Sequence, residues 1–357
     1  MSANREDSFL RVVRGETRGL AASAARRGLS VASAVYGVAV SARNMSFDRG
    51  LRPIHRVGAP VVSVGNLTLG GTGKTPMVEW VARWYRHQGV RVAILSRGYQ
   101  RQSAVNDEAL VLEENLPDVP HLQDPDRVKI ARIAIEELES ELLILDDGFQ
   151  HRRLARDLDL VLLDALDPFG LGRVFPRGLL REPLGGLRRA SLVIVTRADL
   201  VAPAALAEIR STAERAVKRP LAWATSRHAP IELVGGSAGP EALDALKGRN
   251  VAAFCGIGNP EGFRRTIEPL VGRLAGIRTF PDHHHYQADD VAELIRWARD
   301  LGAELVLTTQ KDLVKLRVEA LGAVPLRALR IGLEILSGEV DLVEALTSAT
   351  RAPGRPL

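Results

Sequence analysis

The chain of 357 residues is 46% hydrophobic and 25% charged, enough apolar material for a full buried core and more readily two domains than one. Its single cysteine, Cys255, excludes an intramolecular disulfide framework and suits a reducing cytosol. A net charge of +5 and a pI near 9.6 come from arginines spread along the chain without an arginine–aromatic stacking module, so composition points away from nucleic acid.

Positive charge gathers at the N-terminus, where Arg5, Arg11, Arg14, Arg18, Arg26 and Arg27 outweigh Glu6, Asp7 and Glu16. The uncharged stretch from Gly28 to Ala42 is shorter than the ~20 residues of a spanning helix and follows a long charged segment, so it reads neither as a membrane span nor as a cleaved signal. Leu29, Ala32, Tyr36 and Val40 recur at helical spacing and predict a helix with an apolar stripe. That stripe has two possible seats: the protein's own core, or a membrane interface, where each nearby basic residue adds about 1 kcal/mol on an anionic surface.

Next come an apolar run (Val61, Val62, Val64), the loop Gly65–Pro76, and a segment from Thr75 to His87 with helical patterning. A loop between strand and helix, rich in glycine and ending in Lys-Thr, is built to turn backbone N–H groups toward a triphosphate at a helix N-terminus. Thr68, Leu69, Gly70, Gly71, Thr72 and Gly73 form the cradle, Lys74 reaches the β/γ-phosphates, and the Thr75 hydroxyl sits on Mg²⁺. Thr68 stands where the pattern places its first glycine. The loop predicts binding of a nucleoside triphosphate, and of ATP in preference to GTP, because Thr196-Arg197-Ala198-Asp199 lacks the lysine of a guanine-reading Thr-Lys-x-Asp.

Beyond the loop, strands are predicted at Arg91–Leu95, Glu141–Leu145, Leu158–Asp164 and Leu192–Thr196, with a helix from Asp126 to Glu139. Continuous apolar strands alternating with helices indicate a parallel sheet covered on both faces. Asp146 and Asp147 follow the second of these runs, where the Mg²⁺-holding carboxylate of a nucleotide enzyme belongs, and their mutual repulsion makes sense beside a cation. Phe169–Leu184 is too long and irregular for a tight turn and reads as a binding loop, with Arg177 and Arg181 for a phosphate and Glu182 for a metal or hydroxyl.

A second α/β pattern begins near Ile231, after a Pro-, Arg- and His-containing stretch from Lys218 to Pro230. Its expected elements are a strand at Val251–Phe254, helices at Glu261–Leu274 and Asp289–Leu301, and strands at Glu304–Leu307 and Leu329–Leu333. Cys255 falls at a buried strand end. His283, His284 and His285 cannot all reach one ion, so one of them is better read as a proton-transfer group than as part of a zinc site. The chain divides into an N-terminal basic and apolar helical segment (1–45), a P-loop nucleotide-binding domain (46–228), a smaller α/β domain (229–349) and a loose tail (350–357). The fold class is α/β: a P-loop NTPase-like parallel-sheet domain with a second, smaller α/β domain and an N-terminal helix, which the family resemblance given next makes a membrane-associating helix.

Taken in order, several blocks resemble the tetraacyldisaccharide 4′-kinase family of lipid A synthesis. They are Val64-Gly65-Asn66 with Gly70–Pro76, Ser96-Arg97-Gly98-Tyr99, Asn106-Asp107-Glu108, Asp146–His151, Arg181–Leu184, Gly256–Pro260, Phe280–His283 and Thr309-Gln310-Lys311-Asp312. The family too carries threonine at the first loop position. It often reads Gly-Asp-Glu-Pro where this chain has Asn106-Asp107-Glu108-Ala109, and it carries a glycine-type residue where Gln100 stands; Asp107 itself is kept. The resemblance implies an ATP- and Mg²⁺-dependent transfer of the γ-phosphoryl group to the 4′-hydroxyl of tetraacyldisaccharide 1-phosphate, forming lipid IVA of lipopolysaccharide. It implies a lipid substrate and peripheral association with the cytoplasmic face of the bacterial inner membrane. Lys74 would neutralise phosphate charge, Thr75, Asp146, Asp147 and Glu182 would organise Mg²⁺, and Asp107 would deprotonate the hydroxyl, paired on domain closure with His283. The rival is a membrane-recruited P-loop ATPase switch with a protein partner, which needs neither the 169–184 loop nor an Asp–His pair.

Overall fold

The computed structural model describes residues 3–98, 107–235, 239–282, 284–316, 318 and 320–351. In chain order the elements are α1 (Ala3–Arg14), α2 (Leu20–Asp48), β1 (Val61–Asn66), α3 (Lys74–His87), β2 (Val92–Ser96), α4 (Asp107–Asn115), β3 (His121–Gln123), α5 (Arg127–Glu136), β4 (Leu142–Asp146), β5 (Leu158–Asp164), β6 (Leu192–Thr196) and α6 (Pro203–Val217). They continue as β7 (Ala222–Val234), β8 (Glu241–Ala242), β9 (Asn250–Cys255), α7 (Pro260–Ile267), β10 (Arg273–Thr279), α8 (Ala288–Asp300), β11 (Leu305–Thr309), α9 (Gln310–Leu316), β12 (Ala320–Leu321), β13 (Val324–Ser337) and α10 (Glu339–Thr350). Two compact units result: one holds residues 1–100, 116–228 and 333–357, the other 101–115 and 229–332.

In the first unit, parallel strands run in the order β3-β2-β4-β1-β5-β6 and on to the start of β7. Every residue of β1 and β6 is buried, as strands covered on both faces require. Val64 pairs with Asp146 in register, which sets the end of β4 beside the start of the glycine loop. Helix α5 begins where Asp126 accepts hydrogen bonds from the Val128 and Lys129 N–H groups.

Helix α2, 29 residues long, divides the expected stripe, with Leu29 and Val40 half-buried and Ala32 and Tyr36 exposed, between two faces. One lies on the protein: the Ser33 hydroxyl donates to Val174 O (2.6 Å), the Tyr36 hydroxyl donates to Arg181 O (3.1 Å), and Phe47 is buried beneath the guanidinium groups of Arg43, Arg52 and Arg152. The other face points outward, with Val31, Val35 and Val38 exposed to 68%, 67% and 69%.

In the second unit, β10, β9, β11 and β13 are parallel neighbours, with β8 and β12 pairing antiparallel at β7 and β13. The helix expected to run to Leu274 ends at Ile267, and residues 273–279 form β10 instead. That strand is only partly buried and bulged between Leu274 and Gly276, so it lacks the apolar run that marks the inner strands. The Lys218–Pro230 stretch is the end of α6 and most of β7 rather than a linker. The last strand runs over 324–337, longer than the predicted 329–333, because Arg327 and Arg330 within it are neutralised by Glu241 and Glu232.

Candidate active site

The phosphate loop is fixed from both sides. On one, Thr68 forms an isolated antiparallel bridge with Leu180; the Leu69 N–H donates to Leu179 O (2.7 Å) and the Arg181 N–H to Leu67 O (2.7 Å). A residue held extended in this way needs no glycine conformation, which explains threonine at the first loop position. On the other side, the Thr196 hydroxyl donates to Thr72 O (2.9 Å) and the Arg197 guanidinium to Gly71 O (3.0 Å), so the Thr-Arg-Ala-Asp turn braces the loop. Gly73, at φ +83°, caps α3 without a side chain, and a Cβ there would stand 2.5 Å from His228 Nε2. Lys74 and the buried Thr75 follow as the first residues of α3.

The carboxylates meet this loop because Gly65 lets β1 approach the Asp146–Phe149 turn: a Cβ on Gly65 would lie 2.6 Å from Phe149 Cβ. Asp147 occupies the left-handed region (φ 51°) and turns its carboxylate toward Lys74 Nζ (3.7 Å) and Arg181 (2.7 and 2.8 Å). Burial works against its charge, yet Lys74, Arg181 and Arg127 outweigh burial and hold the carboxyl below the usual carboxylate range. The buried Arg127 guanidinium donates to the main-chain oxygens of Asp146 (3.0 Å) and Asp147 (3.2 Å). Thr75, Asp146 and Asp147 thus supply oxygen donors beside a cationic phosphate loop. They fit Mg²⁺, which ordinarily takes one or two carboxylates and completes its shell with phosphate and water.

Glu182, expected on the metal, is 1% exposed and engaged on both oxygens. Oε1 accepts from Gln150 Nε2 (3.1 Å) and Arg189 (2.8 Å), and Oε2 from Asn44 Nδ2 (2.8 Å) and the same Arg189 nitrogen (2.9 Å). With all four lone-pair positions taken, the carboxylate has none to offer a cation, and we read it as a buried brace. Arg189 also lies over the Phe149 ring, 4.5 Å from its centroid, and Gln150 Nε2 donates to Asn66 O (2.9 Å).

A cavity of about 380 Å³ opens between α2 and the loop, lined among others by Tyr36, Arg43, Leu69, Arg97, Asp147 and Arg181. Its two carboxylates, Asp147 and Glu182, are already paired with arginines, so the remaining charge is positive. Arg177 is turned away, donating to Val13 O (2.9 Å). His283 and the Asp107 side chain lie outside the described residues. Helix α4, which Asp107 opens, belongs to the second unit, as do the residues on either side of position 283, whereas the sequence reading divided the two between domains. His284 is taken up by Asp290 (3.0 Å), and the Cys255 thiol is pushed up to about 12 by burial and by Asp312, which leaves it protonated and unreactive.

Sequence reasoning missed Asn44, Arg127 and Arg189. Arg127 left one signal: a cation in the first turn of a helix opposes the helix dipole and implies a partner that offsets the cost. Asn44 and Arg189 left none, since their meaning rests on contacts made with Glu182, 138 residues away in the case of Asn44.

The tetraacyldisaccharide-1-P 4′-kinase family matches residues 25–351. A tetraacyldisaccharide 4′-kinase of Anaeromyxobacter dehalogenans (strain 2CP-C) is 45% identical over 339 residues, covering 89% of this chain and 88% of the relative. One of Halothermothrix orenii is 35% identical over 350 residues, covering 89% and 91%. Among solved structures, LpxK from Aquifex aeolicus in complex with ATP superposes with a TM-score of 0.72 at 30% identity, covering 91% of this chain and 99% of that one.

Proposed function

The chain belongs to the tetraacyldisaccharide-1-P 4′-kinase family, and from that premise we propose that it transfers the γ-phosphoryl group of ATP to the 4′-hydroxyl of tetraacyldisaccharide 1-phosphate, yielding lipid IVA. The observation that carries the reading is the cationic cluster of Lys74 and Arg181 around Asp147, set in a cavity whose other wall is α2. ATP supplies the phosphoryl group, and Mg²⁺ spreads the charge that builds on it. Lys74 and the N–H groups at the start of α3 neutralise and orient the β/γ-phosphates. Thr75 with Asp146 and Asp147 would hold the metal. Arg181 keeps Asp147 ionised and ties it to Thr68 O (3.0 Å), so that loop and carboxylate keep one geometry. Asp107 takes the proton of the sugar hydroxyl, with His283 as its partner, roles that rest on the match of their motifs to the family's.

The acceptor carries four acyl chains and stays in a bilayer, so the enzyme works at a surface. No helix among the described residues is long and apolar enough to cross a membrane. The outward valines of α2 and the arginine-rich approach suit peripheral binding to the cytoplasmic face of the inner membrane, with the sugar entering the cavity beside the same helix. The test is transfer of labelled γ-phosphate from ATP to tetraacyldisaccharide 1-phosphate in mixed micelles, with the Lys74→Ala protein as control. Labelled lipid that vanishes with the variant is the expected result. ATP hydrolysis without labelled lipid would overturn it in favour of an ATPase switch acting on a protein partner.

A further inference from the structure

The segment Thr309-Gln310-Lys311-Asp312 lies in the second unit and is deeply set for a polar stretch: Gln310 and Asp312 are 6% and 0% exposed. It lies at the C-terminal end of β11, the edge of a parallel sheet where α/β proteins place their working groups. A carboxylate as deep as that of Asp312 costs several kcal/mol unless it is fully engaged, and here it is. Its Oδ2 accepts from the Thr309 hydroxyl (2.7 Å) and the Gly256 N–H (3.0 Å); its Oδ1 accepts from the Tyr286 hydroxyl (3.0 Å) and lies 3.2 Å from Lys315 Nζ.

Asp312 and its neighbour Gln310 each reach a segment that carries one of the acid–base candidates. Through Tyr286, Asp312 grips the turn after β10. That turn is further pinned by Phe280 stacked on His284 (4.8 Å), by Tyr286 edge-on to Phe280 (5.1 Å), and by Pro281 O, which accepts from the His284 N–H (3.1 Å). Two residues before Asp312, Gln310 Nε2 donates to Asn115 Oδ1 (2.9 Å) and Asn115 Nδ2 to Gln310 Oε1 (3.4 Å), a reciprocal amide pair that fastens the end of α4. One short segment therefore holds the helix that Asp107 opens and the turn in which His283 lies.

We propose that Thr309–Asp312 is a positioning segment for the acid–base pair, holding the Asp107 helix through Gln310 and the His283 turn through Asp312 and Tyr286. The proposal rests on the roles given to Asp107 and His283 above. Neither Gln310 nor Asp312 touches substrate in this account; each acts by fixing a backbone segment that carries a group that does. A polar network that is fully satisfied specifies one arrangement where an apolar contact tolerates several, which is what proton transfer between two side chains demands.

The experiment is a double-mutant cycle on kcat with the full-length enzyme. Tyr286→Phe and Gln310→Ala are each expected to lower kcat by about tenfold, the scale set by a misplacement well under 1 Å, with KM for ATP and for lipid within about twofold of wild type. His283→Ala alone should cost about 10²–10⁴ in kcat. Added to His283→Ala, either substitution should then cost nothing more, because what it positions is gone. Wild-type kcat in both single variants, or losses that multiply with that of His283→Ala, overturns the positioning role while the histidine keeps its own. Wild-type kcat in His283→Ala overturns the histidine reading and this inference with it. Melting temperatures of the single variants guard against a stability effect: a kcat loss that tracks a fall in Tm also counts against positioning.

Discussion

Glu182 and Asp147 both lie beside arginines, but the number of donors on each separates their tasks. Asp147 meets one lysine and one arginine at the loop and remains half-exposed, so a cation or phosphate arriving there can redistribute its contacts. Glu182 is sealed by Arg189, Asn44 and Gln150. Glu182→Gln should therefore leave the Mg²⁺ concentration for half-maximal activity within about twofold, while uncoupling the buried pair lowers stability by about 3 kcal/mol in urea unfolding. A tenfold higher Mg²⁺ requirement with unchanged stability would return Glu182 to the metal. The sequence places Glu182 in an irregular, arginine-flanked loop but does not show what saturates its carboxylate: Asn44 and Gln150 lie far off in the chain, and Arg189 carries no mark that sets it apart from the other arginines of that region.

At the level of elements, α2 packs one face on the protein and leaves the other, proposed above as the membrane contact, exposed. Ser33, Tyr36 and Asn44 bind the 174–182 loop, while Val31, Val35 and Val38, spaced by four and three residues, share the opposite side. Deleting the helix would remove both functions together, so substitution of the outer face is the cleaner test. Replacing the three valines by serine should leave Tm unchanged, since nothing in the fold covers them. It should lower partitioning onto anionic vesicles by about tenfold or more, given about 1.5 kcal/mol for each valine fully withdrawn from water. Undiminished vesicle binding would remove this face from the membrane contact. The elements legible in the sequence were the strands buried on both faces: β1, β4, β5 and β6 read as mostly apolar runs because neither side sees water, and Asp159 within β5 is buried beside Arg156. β10 and most of β7 were illegible for the converse reason. Arg273, Arg278, Arg227 and His228 interrupt them, and their strand state is imposed by neighbours such as β9 and β6 rather than by their own pattern.

For the molecule as a whole, stability against pH follows from three histidines of the first unit that the fold keeps neutral. Burial lowers His121 to about 4; burial with Arg127, Arg153, Arg156 and Arg43 lowers His151 to about 4; burial with Arg197 lowers His228 to about 4. Each binds a proton in the unfolded chain near its ordinary pKa of about 6.5 but not in the native state until the pH is near 4. Between those values the unfolded state carries more protons, so stability is complete above pH 6.5 and falls as the solution is acidified through this window. The limiting slope is three protons, about 4 kcal/mol per pH unit. The chain's positive charge adds self-repulsion in the same direction. Thermal unfolding at pH 7.5, 6.5, 5.5 and 4.5 should show a flat upper region and a steep loss below 6.5, well above the range in which most carboxylates titrate. An unchanged Tm from 7.5 to 5 would mean that the three rings are solvated or charged in the folded protein. His228 separates this loss from function. Its ring lies against Gly73, under the phosphate loop and beside Arg197, and stays neutral in the folded protein until the pH is near 4. The affinity of the folded protein for ATP should therefore not change through this ring between pH 7.5 and 5.5, where stability already falls, and nucleotide titrations at pH 7.5, 6.5 and 5.5 would check it.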